Sequence, residues 1–363
     1  MRELHIDSRR IADDTDCYVI AEIGNNHQGS LERALELIRA AKECGVDAVK
    51  FQKRDNRTLY TRQFYGSSYD SENSFGPTYG LHREALELGH HEWVELKRHA
   101  EELGVDFVAA AFDLPSADFL AELDIAAFKF ASGDLHSTPL LEHVASFGKP
   151  LILSTGGATI EDIERAVDTV LPLNSQVCVL QCTASYPAEV EDLHLNVITA
   201  LRERFPDLVI GLSDHQNGIA MAVAAFMLGA RVIEKHFTLN HAWKGTDHSF
   251  SLMPEGMRRL ARDLHRVPAA LGDGVKRPLD CEQPALVKMG KKLVASRDLE
   301  AGHVLTEADV AMKSPADGGL RPYELDGLVG RRLRHPLRLE ETIVLEDFEP
   351  AGEPAHTQPT RAS

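Results

Sequence analysis

Leu208-Val209-Ile210-Gly211-Leu212-Ser213-Asp214-His215 and Arg231-Val232-Ile233-Glu234-Lys235-His236 decide how this chain is read. Each is an apolar run of strand character that ends in a polar triplet closed by histidine. Between them, residues 219–228 are apolar and Ala-rich, the pattern of a helix, and Gly229 closes it. The segment is one strand–helix–strand unit with a histidine at the end of each strand. Neighbouring strands lie ~4.8 Å apart, so the two imidazoles can share one metal ion. A hydrogen-bonded structural pair is the competing reading, and the rest of the chain decides between them.

The same grammar runs outward from this unit. Strand-like runs recur at 17–22, 46–52, 105–111, 126–131, 150–154, 177–182, 209–213 and 231–236. Helical spacing is clearest at 31–44, 91–103, 160–171, 195–205, 219–228 and 256–271. Eight such units over about 270 residues predict an α/β fold, a (β/α)₈ TIM barrel. A doubly wound open sheet competes, but no GxGxxG follows the first strand. One connection is abnormal. Residues 54–89 carry Tyr60, Phe64, Tyr65, Tyr69, Phe75 and Tyr79 without a clear element, which predicts a lid, a binding loop or an interface-packing loop.

Beyond Gly272 the pattern changes. The predicted barrel domain is 1–275, followed by a polar, proline-punctuated linker at 276–288. Residues 289–350 hold a repeat offset by 38 positions, in which Leu299, Leu305, Asp309 and Val310 recur as Leu337, Ile343, Asp347 and Phe348. That spacing predicts a small β-rich module, too small for more than a marginal core of its own. The tail, 351–363, is small, polar and Pro-rich, and disorder is expected there.

Composition narrows the partners. Among 363 residues, 39 basic against 56 acidic side chains give a formal net charge of −17, with no basic stripe. Nucleic acid and anionic membranes are therefore not expected partners. An anionic substrate would need a local cluster of lysines and backbone N–H groups, because the overall field repels it. The five cysteines lack a zinc-type CxxC pair, and Met1-Arg2-Glu3-Leu4-His5 opens no signal peptide. No apolar run is long enough to span a bilayer. The expected location is cytoplasmic.

The chemistry collects where strands end, the active face of such a barrel. Those ends carry Glu22, Lys50 with Gln52, Asp113, Lys129 with Ser132 and Asp134, Ser154 with Thr155, Thr183 with Ser185, Ser213 with His215, and Glu234 with His236. Hydroxyls and Gly turns at 132–133, 154–157 and 213 suit the cradling of phosphate oxygens, and Lys50 and Lys129 add charge. Two imidazoles leave coordination positions open, as a catalytic divalent metal requires. Glu22, Asp134 and Asp247 are the acid/base candidates.

These residues resemble the sialic acid synthase family, the phosphoenolpyruvate-dependent nonulosonate synthases. The matching runs are Ala21-Glu22-Ile23-Gly24 with Asn26-His27, Lys50-Phe51-Gln52, Lys129 with Ser132-Gly133, Cys182-Thr183 with Tyr186-Pro187, Ser213-Asp214-His215, Lys235-His236 and Asp247-His248. The C-terminal module resembles the antifreeze-like (SAF) domain of the same family. Phe75-Gly76-Pro77-Thr78-Tyr79-Gly80 with His82, and Trp243-Lys244-Gly245, resemble the branch typified by animal enzymes, which use a 6-phosphorylated sugar. The resemblance implies a domain-swapped homodimer and a divalent metal at His215 and His236, most often Mn²⁺, with Mg²⁺, Co²⁺ or Zn²⁺ as alternatives. It implies that Lys129, Ser132, Ser154 and Ser213 hold phosphoenolpyruvate, and that Glu22, Gln52, Tyr186 and Asp247 contact an open-chain amino- or hydroxy-hexose. Thr183 or Ser185 would take the phosphate contact that bacterial members make with Asn, because position 184 is Ala here. Lys244, Arg83 and Arg57 are candidates to meet a sugar phosphate, and a solvated surface cation is the competing reading of each.

Besides Ala184, further departures from the family pattern stand out. Position 134 is Asp rather than the Glu of many bacterial members. Lys313-Ser314-Pro315 stands where many carry an Arg that reaches the partner's site, and His136-Ser137 replaces an Asn pair. The expected activity is condensation of phosphoenolpyruvate with N-acetylmannosamine or its 6-phosphate. Competing readings are a related nonulosonate synthase, a Schiff-base pyruvate aldolase using Lys129 or Lys50, and a carbohydrate-binding scaffold.

Overall fold

The computed structural model describes residues 2–350; the tail expected to be disordered lies outside the described residues. Eight parallel strands close into a barrel: β1 Tyr18–Gly24, β2 Ala48–Lys53, β3 Asp106–Ala111, β4 Ala127–Phe130, β5 Leu151–Ser154, β6 Val177–Cys182, β7 Val209–Asp214 and β8 Val232–His236. β8 pairs with both β7 and β1, which completes the circle. The strands read as near-continuous apolar runs because both faces are covered, one by helices and one by the barrel interior. Register then aligns their polar ends. His236 lies opposite Glu22, Glu22 opposite Lys50, Glu234 opposite Ser213, and Ser213 opposite Cys182.

Each β-to-β connection after the first two strands carries a helix, and two of these were absent from the sequence expectation. Leu114–Glu122 and Thr138–Ala145 have nine and eight residues, with a proline in the first turn. They are too short to display a full amphipathic period. The Asp113 carboxylate caps the first by accepting from the Ser116 N–H at 2.8 Å. Asp113 thus serves as a helix cap, and its other oxygen accepts from the Asp55 N–H at 2.7 Å.

A hairpin not foreseen in the sequence, Glu3–Ile6 with Arg9–Ala12, precedes β1. Its Leu4, Ile6 and Ile11 are fully buried among Ile20, Val108, Ile152, Leu180 and Val232, side chains that fill the barrel interior. Each such burial stabilises by roughly 2 kcal/mol. One end of the barrel is sealed by hydrocarbon, and the polar residues are left at the other.

The long β2–β3 connection is structured. It folds into short helices Asn56–Leu59, Arg62–Tyr65 and Tyr79–Glu84, followed by the longer helix His90–Leu103. Tyr60, Phe64, Tyr69, Tyr79 and His82 stack on one another with ring centroids 4.5–6.1 Å apart. An aromatic core of its own replaces the regular pattern that the sequence lacks.

A second compact unit begins at Asp273. The stretch expected as linker contains a short helix, Gln283–Met289. Beyond it, Lys292–Ala295 pairs antiparallel with Val310–Lys313, and Leu299 bridges Leu337. The 38-residue repeat is structural. Asp309 accepts from the Thr306 N–H and Asp347 from the Val344 N–H, the same turn made twice. Leu293, Leu305, Leu333, Leu337, Ile343 and Phe348 form its core.

Candidate active site

The strand ends open into one cavity of about 330 Å³, lined among others by Glu22, Lys50, Gln52, Lys129, Ser154 and His215. Side-chain alternation explains who enters. On β2, Lys50 and Gln52 share a face, and the same alternation carried past the strand end brings Arg54 to the cavity. On β8, Glu234 and His236 do the same.

Four charges interlock at the base. Lys50 Nζ lies 2.7 Å from Glu22 Oε2 and 3.6 Å from Glu234 Oε1, and Lys129 Nζ lies 3.9 Å from Glu234 Oε2. All four side chains are buried. Burial penalises each charge, yet the neighbours compensate unevenly. Burial draws Lys50 down, but Glu22 and Glu234 raise it above its ordinary value. Burial leaves Lys129 below its ordinary value despite Glu234, and Lys50 adds to that depression. Lys129 also donates to Ser154 Oγ at 2.5 Å and to the Phe130 carbonyl at 2.9 Å. Ser213 Oγ sits 3.4 Å from Glu234 Oε1. Ser132 Oγ accepts from the Gly156 N–H at 2.9 Å, so the Gly turn after β5 is clamped to the turn after β4. A Cβ on Gly156 would come within 2.8 Å of Ser132 Oγ, which explains the glycine.

Asp134 ends the one-turn 3₁₀ segment Ser132–Asp134. Burial, offset in part by Arg54 and Lys129, pushes its carboxyl up to about 6. A carboxylate tuned there can take a proton near neutral pH.

The rings of His215 and His236 face each other with centroids 5.4 Å apart. His215 Nδ1 bonds the Thr183 carbonyl at 2.8 Å, which only accepts, so the proton sits on Nδ1 and Nε2 is free to coordinate. Burial, with His236 adding to it, pushes His215 down to about 3 and keeps it neutral. His236 Nδ1 is buried without a hydrogen-bond partner, 3.7 Å from Asp247 Oδ2. A neutral, oriented imidazole beside an orphaned ring nitrogen fits a divalent cation. Among the described residues no cluster of three or more His, Cys, Asp or Glu side chains has metal-holding geometry. The protein would supply two ligands and leave the remaining positions to substrate and water. Tyr186 stacks on His215 at 4.2 Å between ring centroids.

Of the residues singled out in the sequence, Glu22, Lys50, Gln52, Arg83, Lys129, Ser132, Ser154, Tyr186, Ser213, His215, Glu234, His236 and Asp247 line this cavity. Asp134, Thr183, Ser185 and Lys244 do not, nor do Asp113, Thr155 and Arg57. Asp134 closes the turn that Ser132 opens. Thr183 and Ser185 line a separate cavity of about 650 Å³, and their hydroxyls donate to the Asp192 and Pro187 carbonyls at 2.8 and 2.9 Å. Lys244 is exposed, with Nζ 4.9 Å above the Phe75 ring. Sequence reasoning did not single out Arg54, although it continues the Lys50, Gln52 alternation. Phe112, which has no sequence signal, was also missed.

A closed parallel barrel whose strand ends gather buried lysines, glutamates and an oriented histidine pair defines a TIM-barrel enzyme. Residues 37–276 match the model of the NeuB family, and residues 292–349 match the SAF domain. The chain is 41% identical over 330 residues to the N-acetylneuraminate-9-phosphate synthase of Homo sapiens, covering 91% of this chain and 92% of the relative. It is 37% identical over 341 residues to the N,N'-diacetyllegionaminic acid synthase of Legionella pneumophila, covering 92% and 95%. The solved N-acetylneuraminic acid synthetase of Leptospira borgpetersenii, in complex with citrate, superposes with a TM-score of 0.66 at 31% identity, covering 78% of this chain and 95% of that one. The chain belongs to the NeuB family. It is an enzyme of the sialic acid synthase type, a barrel followed by a SAF domain.

Proposed function

We propose that the protein condenses phosphoenolpyruvate with N-acetylmannosamine 6-phosphate, giving N-acetylneuraminate 9-phosphate and inorganic phosphate. The observation that carries this reading is Lys129, buried, bonded to Ser154 and aimed with Lys50 into the cavity shared with the histidine pair. A phosphate monoester on one side and a carbonyl on the other is the substrate pairing those groups suit. Neither lysine of the cavity stands free as a Schiff-base nucleophile, since Lys50 is held by Glu22 and Lys129 by the Ser154 hydroxyl.

Lys129, Ser132, Ser154 and Ser213 hold the phosphate and carboxylate of phosphoenolpyruvate. Glu22, Gln52, Tyr186 and Asp247 orient the open-chain sugar, and Gln52 is fixed for this by its bond to Glu22. A divalent cation, Mn²⁺ by family resemblance, would be held by His215 and His236 and supply Lewis-acid polarisation of a carbonyl oxygen. Phosphoenolpyruvate C3 bonds to the aldehyde carbon, and the aldehyde oxygen becomes a hydroxyl. Water adds at C2, its proton passing to Asp134, and the C2–O bond to phosphate breaks. The proton that Asp134 takes balances the one the new hydroxyl acquires.

Family resemblance also supports a domain-swapped homodimer, which sedimentation would measure. Five free cysteines, four of them buried, support a reducing cytoplasm, and among the described residues no helix is long and apolar enough to cross a membrane. Turnover on N-acetylmannosamine, its 6-phosphate and unacylated mannose analogues tests the substrate. Preference for the free sugar would contradict the 6-phosphate assignment and favour a related nonulosonate synthase.

A further inference from the structure

Two guanidinium groups line the cavity, and among the described residues no carboxylate lies within ion-pairing distance of either, although Glu87 acts on Arg54, and Asp247 on Arg83, from farther away. Arg54 is buried. Its Nη2 donates to Gln52 Oε1 at 2.6 Å, its Cζ lies 3.7 Å from the centroid of the Phe112 ring, and its Nη1 is buried with no hydrogen-bond partner. Arg83, from helix Tyr79–Glu84, donates Nε to Tyr79 Oη at 3.2 Å, which leaves its terminal nitrogens uncommitted. Among the described residues neither guanidinium forms an ion pair. Charged side chains are rarely buried unless paired, so this pairing of like charges asks for a partner from outside.

Arg83 acts on Arg54. Burial lowers Arg54, and Arg83 lowers it further. Burial alone would raise the Tyr79 phenol, but Arg83, Tyr60 and Arg54 together bring it below its ordinary value. Tyr79, which accepts from Arg83, is itself held in the aromatic cluster of the β2–β3 connection by Tyr60 and Phe64.

We infer that Arg54 and Arg83 form a second anion subsite in this cavity, one that takes the terminal phosphate of a phosphorylated hexose. The inference rests on the sugar-substrate reading above and deepens it. Guanidinium forks present paired donors to phosphate oxygens, which a lysine cannot. Lys50 and Lys129 are already matched by Glu22 and Glu234, so the two sites are chemically distinct. The structure also removes the rival cations. Arg57 is 74% exposed at its side chain and lies 3.7 Å from Glu84, and Lys244 is exposed on Phe75.

Calorimetric binding of a hexitol 6-phosphate, which has no aldehyde and cannot condense, tests this with saturating phosphoenolpyruvate present. The wild-type protein should bind it at least ten-fold more tightly than the plain hexitol or inorganic phosphate. Arg83→Gln and Arg54→Gln should each weaken it by ten-fold or more, and Arg83→Lys by less. Binding within two-fold of wild type in Arg83→Gln would overturn the subsite, as would inorganic phosphate binding as tightly as the hexitol phosphate. Should Arg54→Gln fail to fold, judged by circular dichroism, Arg83→Gln decides alone. Tight hexitol phosphate binding without turnover of the sugar phosphate would leave the subsite standing and remove the substrate reading. Turnover of the sugar phosphate with unchanged binding in the variants would do the reverse.

Discussion

The Thr183 carbonyl holds His215 by its Nδ1 at 2.8 Å, and so turns the free Nε2 toward the cavity that His236 shares. A backbone carbonyl fixes the tautomer without adding charge, which is how a ligand imidazole is kept oriented.

Removal of divalent cations should therefore abolish condensation. Dialysis against a chelator is expected to lower turnover at least 100-fold, and Mn²⁺ should restore it. His236→Asn should lose bound metal, read by elemental mass spectrometry, and Mn²⁺ should not rescue it. Condensation that persists in chelator would remove the metal role from both histidines.

Asp134 gives a pH dependence with a definite sign. As a base it works deprotonated, so kcat/KM should rise with pH through a limb near about 6, the value to which burial lifts it. Asp134→Asn should lose that limb and about 10²–10⁴ in rate. The same raised value means that protonation favours the fold. This contribution is full below the unfolded pKa and lost as pH rises through about 6, so Asp134→Asn should melt no lower than wild type at pH 7. A clear drop in melting temperature would contradict that.

Lys129 and Ser154 should act on phosphoenolpyruvate rather than on the sugar. A hydrogen bond to a charged group contributes about 1.5–3 kcal/mol, so Lys129→Met should raise the KM for phosphoenolpyruvate by roughly 10–150-fold. Ser154→Ala leaves the ammonium in place and should cost less. Steady-state kinetics varying each substrate in turn checks this, and an effect confined to the sugar KM would reverse the assignment.

The barrel was legible in sequence because its strands, covered on both faces, are unbroken apolar runs that end in polar residues. The strand-end histidines, lysines and serines could be found for the same reason. What stayed hidden has physical causes. The hairpin Glu3–Ile6 with Arg9–Ala12 is four residues per strand, and it earns its place only by plugging a barrel that sequence does not display. The β2–β3 connection is held by ring stacking between residues with no fixed spacing. Thr183 and Ser185 sit at a strand end as expected, but their hydroxyls turn away to backbone carbonyls. Arg54 and Arg83 are 29 positions apart, and only the folded connection brings both to one cavity.

The central claim is a condensation that breaks the C2–O bond of phosphoenolpyruvate. Phosphoenolpyruvate carrying ¹⁸O in the bridging position, incubated with N-acetylmannosamine 6-phosphate and Mn²⁺, tests it most directly by mass spectrometry of both products. The prediction is that all the label leaves with inorganic phosphate and the nine-carbon keto acid carries none. Label retained in the keto acid, or no nine-carbon product, would contradict it.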